Sequence, residues 1–88
     1  MFHKDLYGHR LKKLRTGAGE KQAELAALLG VKPNQIVEME NGRKTTTFDK
    51  LTIICQHYNV SADYLLGIID APVPPQREGP IPQKTKEE

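Results

Sequence analysis

The chain has 88 residues, enough for one small domain and too few for an enclosed active site with the shell to support it. Its hydrophobic share of 38% falls below the roughly 45–50% of an ordinary globular chain, so part of it stays outside any core. Thirteen Lys and Arg against 11 Asp and Glu leave +2, only a weak pointer to an anionic partner, and one cysteine excludes an internal disulfide framework.

A lone cysteine fits a reducing compartment. The opening Met1-Phe2-His3-Lys4-Asp5 lacks the apolar run of a signal peptide, and no stretch approaches 18 apolar residues. The expectation is a cytoplasmic binding module with no membrane partner.

From residue 5 to 69 the periodicity is helical. Tyr7, Leu11 and Leu14 mark the inner face of a first helix, which Gly17-Ala18-Gly19 should end. Arg10, Lys12, Lys13 and Arg15 lie beside that face, as a contact for phosphate or an ordinary charged stripe, and His9 with Arg10 reads as its solvated outer side. A second helix, Gln22 to Leu29, turns Leu25, Ala26, Leu28 and Leu29 inward and stops at Gly30. The third starts at Pro33, a residue favoured in a first turn, carries Ile36 and Met39 inward and ends at Asn41-Gly42. Thr47 should cap a fourth helix, with Asp49 in its first turn and Leu51, Ile54, Cys55 and Tyr58 on one face. Ser61 caps a short fifth, where Asp63, Tyr64, Leu65 and Leu66 precede Gly67.

Asp70 changes the character of the chain. The run DAPVPPQREGPIPQKTKEE holds five of the six prolines and only Val73 and Ile81 as large apolar residues. Residues 1–69 therefore read as the domain and 70–88 as a proline-rich disordered tail. The tail is a solvated end or, alternatively, a docking peptide for a protein partner. It holds three cations and four acidic groups, so residues 1–69 carry +3.

Five short helices without a strand signal make an all-α domain. Only Gly30-Val31-Lys32 separates the second from the third, the short glycine-containing turn of a helix-turn-helix. Such a pair sets its second helix in the major groove of DNA with the amino-terminal residues at base edges. That makes Lys32, Pro33, Asn34, Val37 and Glu38 the candidate base-reading residues. Asn34 has the paired donor and acceptor that match adenine, Glu38 can accept from cytosine, and Pro33 and Val37 can meet a thymine methyl. Lys21 and Gln22 before the pair, and Asn41, Arg43 and Lys44 after it, are the candidate phosphate-binding residues.

Other chemistries find little support. His3, His9 and His57 show no metal-ligand spacing with Cys55, so no metal is expected. Cys55 reads as a packed thiol. No nucleophile–base pair, carboxylate dyad or glycine-rich phosphate cradle is present, so neither catalysis nor a cofactor is expected.

The run LRTGAGEKQAELAALLGVKPNQIVEMENG, followed by RKTTTFDKL and NVSADYLLG, resembles the phage-repressor-like, Xre/Cro-type helix-turn-helix domain over residues 6–67. The resemblance implies a compact five-helix, lambda-repressor-like DNA-binding domain. It implies an internal ion pair between Arg15 and Glu40, and phosphate contacts from Gln22, Asn41 and Arg43. It also implies a homodimer through the last helix, by Tyr64, Leu65, Leu66, Ile68 and Ile69, on near-palindromic double-stranded DNA. Where the family has an apolar residue then Thr or Ser before Gln22, this chain has Glu20-Lys21, and Lys32 fills another usual capping position. Both caps of the pair are therefore expected to be weak. The functional expectation is a repressor-type transcriptional regulator of the kind carried by prophages and mobile elements. Its rival is an antitoxin or protein-binding adaptor on the same fold, which the tail and the acidic Glu38 favour.

Overall fold

A computed structural model describes residues 1–75. Five helices follow in order: α1 Lys4–Gly17, α2 Gln22–Leu29, α3 Pro33–Glu40, α4 Phe48–Tyr58 and α5 Ala62–Leu66. No strand occurs among the described residues. None of these helices is long and apolar enough to cross a membrane.

Local signals set the helix ends. Gly30 closes α2 with φ 69°, the left-handed conformation, and the Val31 N–H reaches back to the Ala26 carbonyl at 3.0 Å. That turn redirects the chain within three residues, as glycine permits. The Thr47 hydroxyl accepts from the Lys50 N–H at the start of α4, and Ser61 accepts from the Tyr64 N–H at the start of α5, both at 3.3 Å. Neither Lys21 nor Lys32 can accept a hydrogen bond, so the hydroxyl half of a capping box is missing from α2 and α3. The other half is present. Glu24 Oε1 accepts from the Lys21 N–H at 2.7 Å, and Gln35 Oε1 accepts from the Lys32 N–H at 3.2 Å.

The core is contributed by all five helices: Tyr7 and Leu11, Leu25, Ala26 and Leu29, Ile36 and Met39, Ile54 and Cys55, then Val60, Tyr64 and Leu65. α3 lies against both α1 and α2, and α5 joins α1 to α4. Gly8 sets the first of these approaches. A methyl group there would collide with the carbonyls of Met39 and Glu40, so α1 can cross the end of α3 only because Gly8 has no side chain.

Two expectations need correction. Leu28 is 42% exposed rather than inward. With about 100° of turn per residue, Leu25, Ala26 and Leu29 fix the buried face and Leu28 falls about 60° beyond its edge. Arg10 is buried, not solvated. Its guanidinium lies 4.3 Å above the Tyr64 ring and donates to the carbonyls of Tyr64 and, at 2.8 Å, Ile69. It also pairs with Asp70 at 2.9 Å. Arg10 thus satisfies carbonyl groups at and beyond the end of α5, where helix carbonyls lack intrahelical partners.

The segment after α5 turns back along the domain. The Val73 carbonyl accepts from the Ser61 N–H at 2.8 Å, and Pro75 lines a shallow cavity with Phe48, Leu51, Cys55 and Ala62. The tail expected from residue 70 is described as far as Pro75; residues 76–88 lie outside the described residues.

Candidate nucleic-acid interface

The α2–α3 pair is held from behind by one buried polar cluster. Arg15 donates through Nε to Glu40 Oε2 at 2.5 Å and through Nη2 to Oε1 at 3.1 Å. Its third nitrogen, Nη1, donates to the Glu20 carbonyl at 2.7 Å. The two side chains are only 9% and 2% exposed, so this is an internal tie between α1 and the end of α3. The hydrogen bond to Glu40 holds the guanidinium charged more firmly than usual, against the opposing effect of burial.

Gln22 belongs to the same cluster. Its Nε2 donates to Glu40 Oε1 at 3.1 Å, so the side-chain amide points at the ion pair. The backbone N–H groups of Gln22 and Ala23 open the helix, where amides have no intrahelical acceptor. Lys21, exposed, stands beside them.

The loop before α2 is anchored a second time. Glu20 Oε1 accepts from the Tyr58 hydroxyl at 2.6 Å, and Glu20 Oε2 lies 2.5 Å from His57 Nε2. Burial raises the Glu20 carboxyl, but the bonds from Tyr58 and His57 outweigh it and bring the group below the ordinary glutamate range. Burial, followed by the Glu20 bond and charge, drives the Tyr58 hydroxyl well above its usual range. Composition and spacing did not reveal this cluster, because its members come from a loop and from α4, 37 and 38 residues apart.

On α3 the buried side is fixed by Ile36, Met39 and Glu40. Asn34 and Glu38, four residues apart, stand opposite it, as the roughly 100° step requires. Lys32, Pro33 and Asn34 are exposed, whereas Val37 and Glu38 are half-buried. Beyond the helix, the N–H groups of Arg43 and Lys44 both bond the Glu38 carbonyl, at 2.9 and 3.3 Å. The loop therefore presents two cations at the carboxyl end of α3, the end that favours positive charge. Lys44 Nζ lies 3.3 Å from Glu38 Oε1, so the acidic charge facing outward carries its own counter-charge. Among the described residues Lys21, Lys32 and Arg43 have no ion-pair partner; Lys21 and Lys32 stand exposed at the starts of α2 and α3, and Arg43 and Lys44 stand exposed beyond the end of α3. Asn41 is exposed beside them.

A helix-turn-helix family model matches residues 11–65. The chain belongs to the Xre/Cro-type helix-turn-helix family. It is 35% identical over 69 residues to the uncharacterized HTH-type transcriptional regulator YobD of Bacillus subtilis, covering 78% of this chain and 62% of that one. It is 32% identical over 62 residues to the antitoxin PezA of Streptococcus pneumoniae, covering 70% of this chain and 39% of that one. The chain thus spans less than two thirds of either relative. Among solved structures the P22 c2 repressor, crystallised with a synthetic operator, superposes with a TM-score of 0.65 at 28% identity, over 69% of this chain and 92% of that one. The fold is the lambda-repressor-like, five-helix form of this helix-turn-helix family.

Of the residues expected in a dimer contact, Tyr64 and Leu65 are 4% and 0% exposed and belong to the core of a single chain. Leu66 and Ile69 are half-buried and Ile68 is exposed. Arg10 and Gly8 escaped the sequence reading because a cation and a glycine on a helix carry no periodic signal. The back-capping of α2 and α3 was readable, since Glu24 and Gln35 each stand three residues after the lysine at the cap.

Proposed function

We propose that this protein is a repressor-type transcriptional regulator that binds double-stranded DNA as a homodimer and works in the cytoplasm. α3 enters the major groove, where Lys32, Pro33, Asn34, Val37 and Glu38 read bases. Lys21, the amide end of α2 at Gln22, and Asn41, Arg43 and Lys44 hold phosphates on either side. The observation that carries this reading is the pairing of an outward Asn34 and Glu38 with exposed cations at both ends of the helix pair. Gln22 contributes through its backbone, its side chain being held by Glu40. Leu66, Ile68 and Ile69 are the residues of α5 and its extension available to the partner subunit.

Titration of the full chain onto labelled random duplexes at rising salt tests the reading. Binding is expected at low salt, with log affinity falling linearly in log salt at about −0.9 per phosphate contacted. A chain that leaves duplexes unbound at low salt overturns it. The pneumococcal relative supports a second reading, an antitoxin on the same fold, which requires a protein partner. A stable complex between the full chain and the product of a neighbouring gene would favour that reading.

A further inference from the structure

Glu20, the residue just before the cap of α2, is held by both its side chain and its backbone. The carboxylate takes two donors from the end of α4, the Tyr58 hydroxyl at 2.6 Å on Oε1 and His57 Nε2 at 2.5 Å on Oε2. The rings of His57 and Tyr58 meet edge-on with centroids 4.7 Å apart, so the two donors stand as one unit. On the backbone, the Glu20 carbonyl accepts from Arg15 Nη1 at 2.7 Å and the Glu20 N–H donates to the Arg15 carbonyl at 3.0 Å. Glu20 thus joins α1 to α4 where the chain enters α2, one residue before Lys21 and two before the first helical amide, that of Gln22.

We propose that Glu20, gripped by Tyr58 and His57, is a positioning residue for the phosphate contact at the start of α2. The inference rests on the DNA-binding reading of the preceding section and adds to it three residues that touch no DNA there. Two physical arguments carry it. Lysine and arginine side chains are long enough to follow a phosphate, whereas the amides of Gln22 and Ala23 move only with the backbone. An N–H···O bond needs its atoms within about 2.7–3.2 Å, so the start of α2 has to be placed by something rigid. Glu20 supplies that placement from two helices outside the helix-turn-helix. The second argument is charge. A carboxylate beside the start of a helix is itself drawn to the amides there and competes with phosphate for them. Here its side chain is 22% exposed and both oxygens are engaged by α4, which holds the charge away from the amides. Removing a donor both loosens the helix start and frees an internal competitor.

Titration onto labelled random duplexes at several salt concentrations tests this with the full chain, Tyr58→Phe, His57→Ala, Lys21→Ala and Tyr58→Phe combined with Lys21→Ala. Urea unfolding follows the fold of each. Phenylalanine keeps the half-buried ring and His57 is exposed, so both α4 variants should remain folded under binding conditions. Each is expected to bind roughly three- to tenfold more weakly than the parent, the range of one hydrogen bond, without a change in base preference. Each should also shift the salt slope toward that of Lys21→Ala, by up to about 0.9. In the Lys21→Ala background, the loss from Tyr58→Phe should shrink by at least about twofold, because the two act through one contact. If the α4 variants lower the urea midpoint yet keep the parent's affinity and salt slope, Glu20 is a structural tie alone; the positioning role then fails while the DNA reading stands. Losses from Tyr58→Phe and Lys21→Ala that multiply independently sink it equally. A parent that leaves duplexes unbound at low salt removes the DNA reading, and the positioning role with it.

Discussion

At the scale of single residues, two side chains do more than their type suggests. Alanine is the better helix former by about 1 kcal/mol, so Gly8→Ala in the middle of α1 should stabilise an isolated helix. Here its methyl group meets backbone carbonyls of Met39 and Glu40, which cannot move aside as a flexible side chain can. Overpacking against fixed atoms costs about 1–3 kcal/mol, so the variant should be less stable than the parent in urea unfolding. A gain in stability would mean that α1 and α3 are farther apart than described. Glu40 is the second case. Removing it as Glu40→Ala strands the buried Arg15 and the Gln22 amide together, and breaking such a pair costs about 3–5 kcal/mol. The expected result is a large fall in the urea midpoint. An effect below 1 kcal/mol, on the order of an exposed pair, would deny the cluster its role.

At the scale of elements, the loop before α2 is tied to α4 through Glu20, and that tie has a pH signature. The Glu20 carboxyl titrates below the ordinary value of about 4.3 in the folded protein, so its contribution to stability is complete above that value. It is lost as pH falls through the depressed folded value. Glu20→Gln should therefore lower stability above about pH 4.3, where the carboxylate's contribution is complete, and reduce the steepness of acid unfolding below it, measured by circular dichroism. An identical acid limb in both proteins would contradict the tie. The helices themselves were largely legible in the sequence: Gly30, Pro33, Thr47 and Ser61 act locally, and their effect on the backbone does not depend on the rest of the fold. The limits of that reading are also physical. Leu28 looks like core because leucine usually is, yet an eight-residue helix has room for only one inner face. Arg10 looks like surface because its partners are carbonyls, which any residue can supply and which no sequence pattern announces.

At the scale of the whole molecule, the modest net charge of +2 matters less than where the charges stand. Arg10 and Arg15 are internal, and Lys44 offsets Glu38, which leaves Lys21, Lys32 and Arg43 as the outward cations of the helix pair without an ion-pair partner among the described residues. The helix-turn-helix and its candidate surface could be located from spacing alone. What the spacing could not show is that Gln22 turns its amide toward Glu40, or that Tyr64 and Leu65 of the last helix are core. From these follow distinct effects on DNA binding. If Arg43 holds a phosphate as proposed, Arg43→Ala should weaken binding to all duplexes alike and lower the salt slope by roughly 0.9. Glu38→Gln should change base preference instead, since it gains a donor and releases Lys44. Base reading by α3 is tested by selection of preferred sites from random duplex DNA with the full chain and with Glu38→Gln. A near-palindromic site with half-sites about one helical turn apart is expected, with a shift in consensus confined to the positions read by Glu38. No enriched sequence, or the same consensus for both proteins, would contradict it.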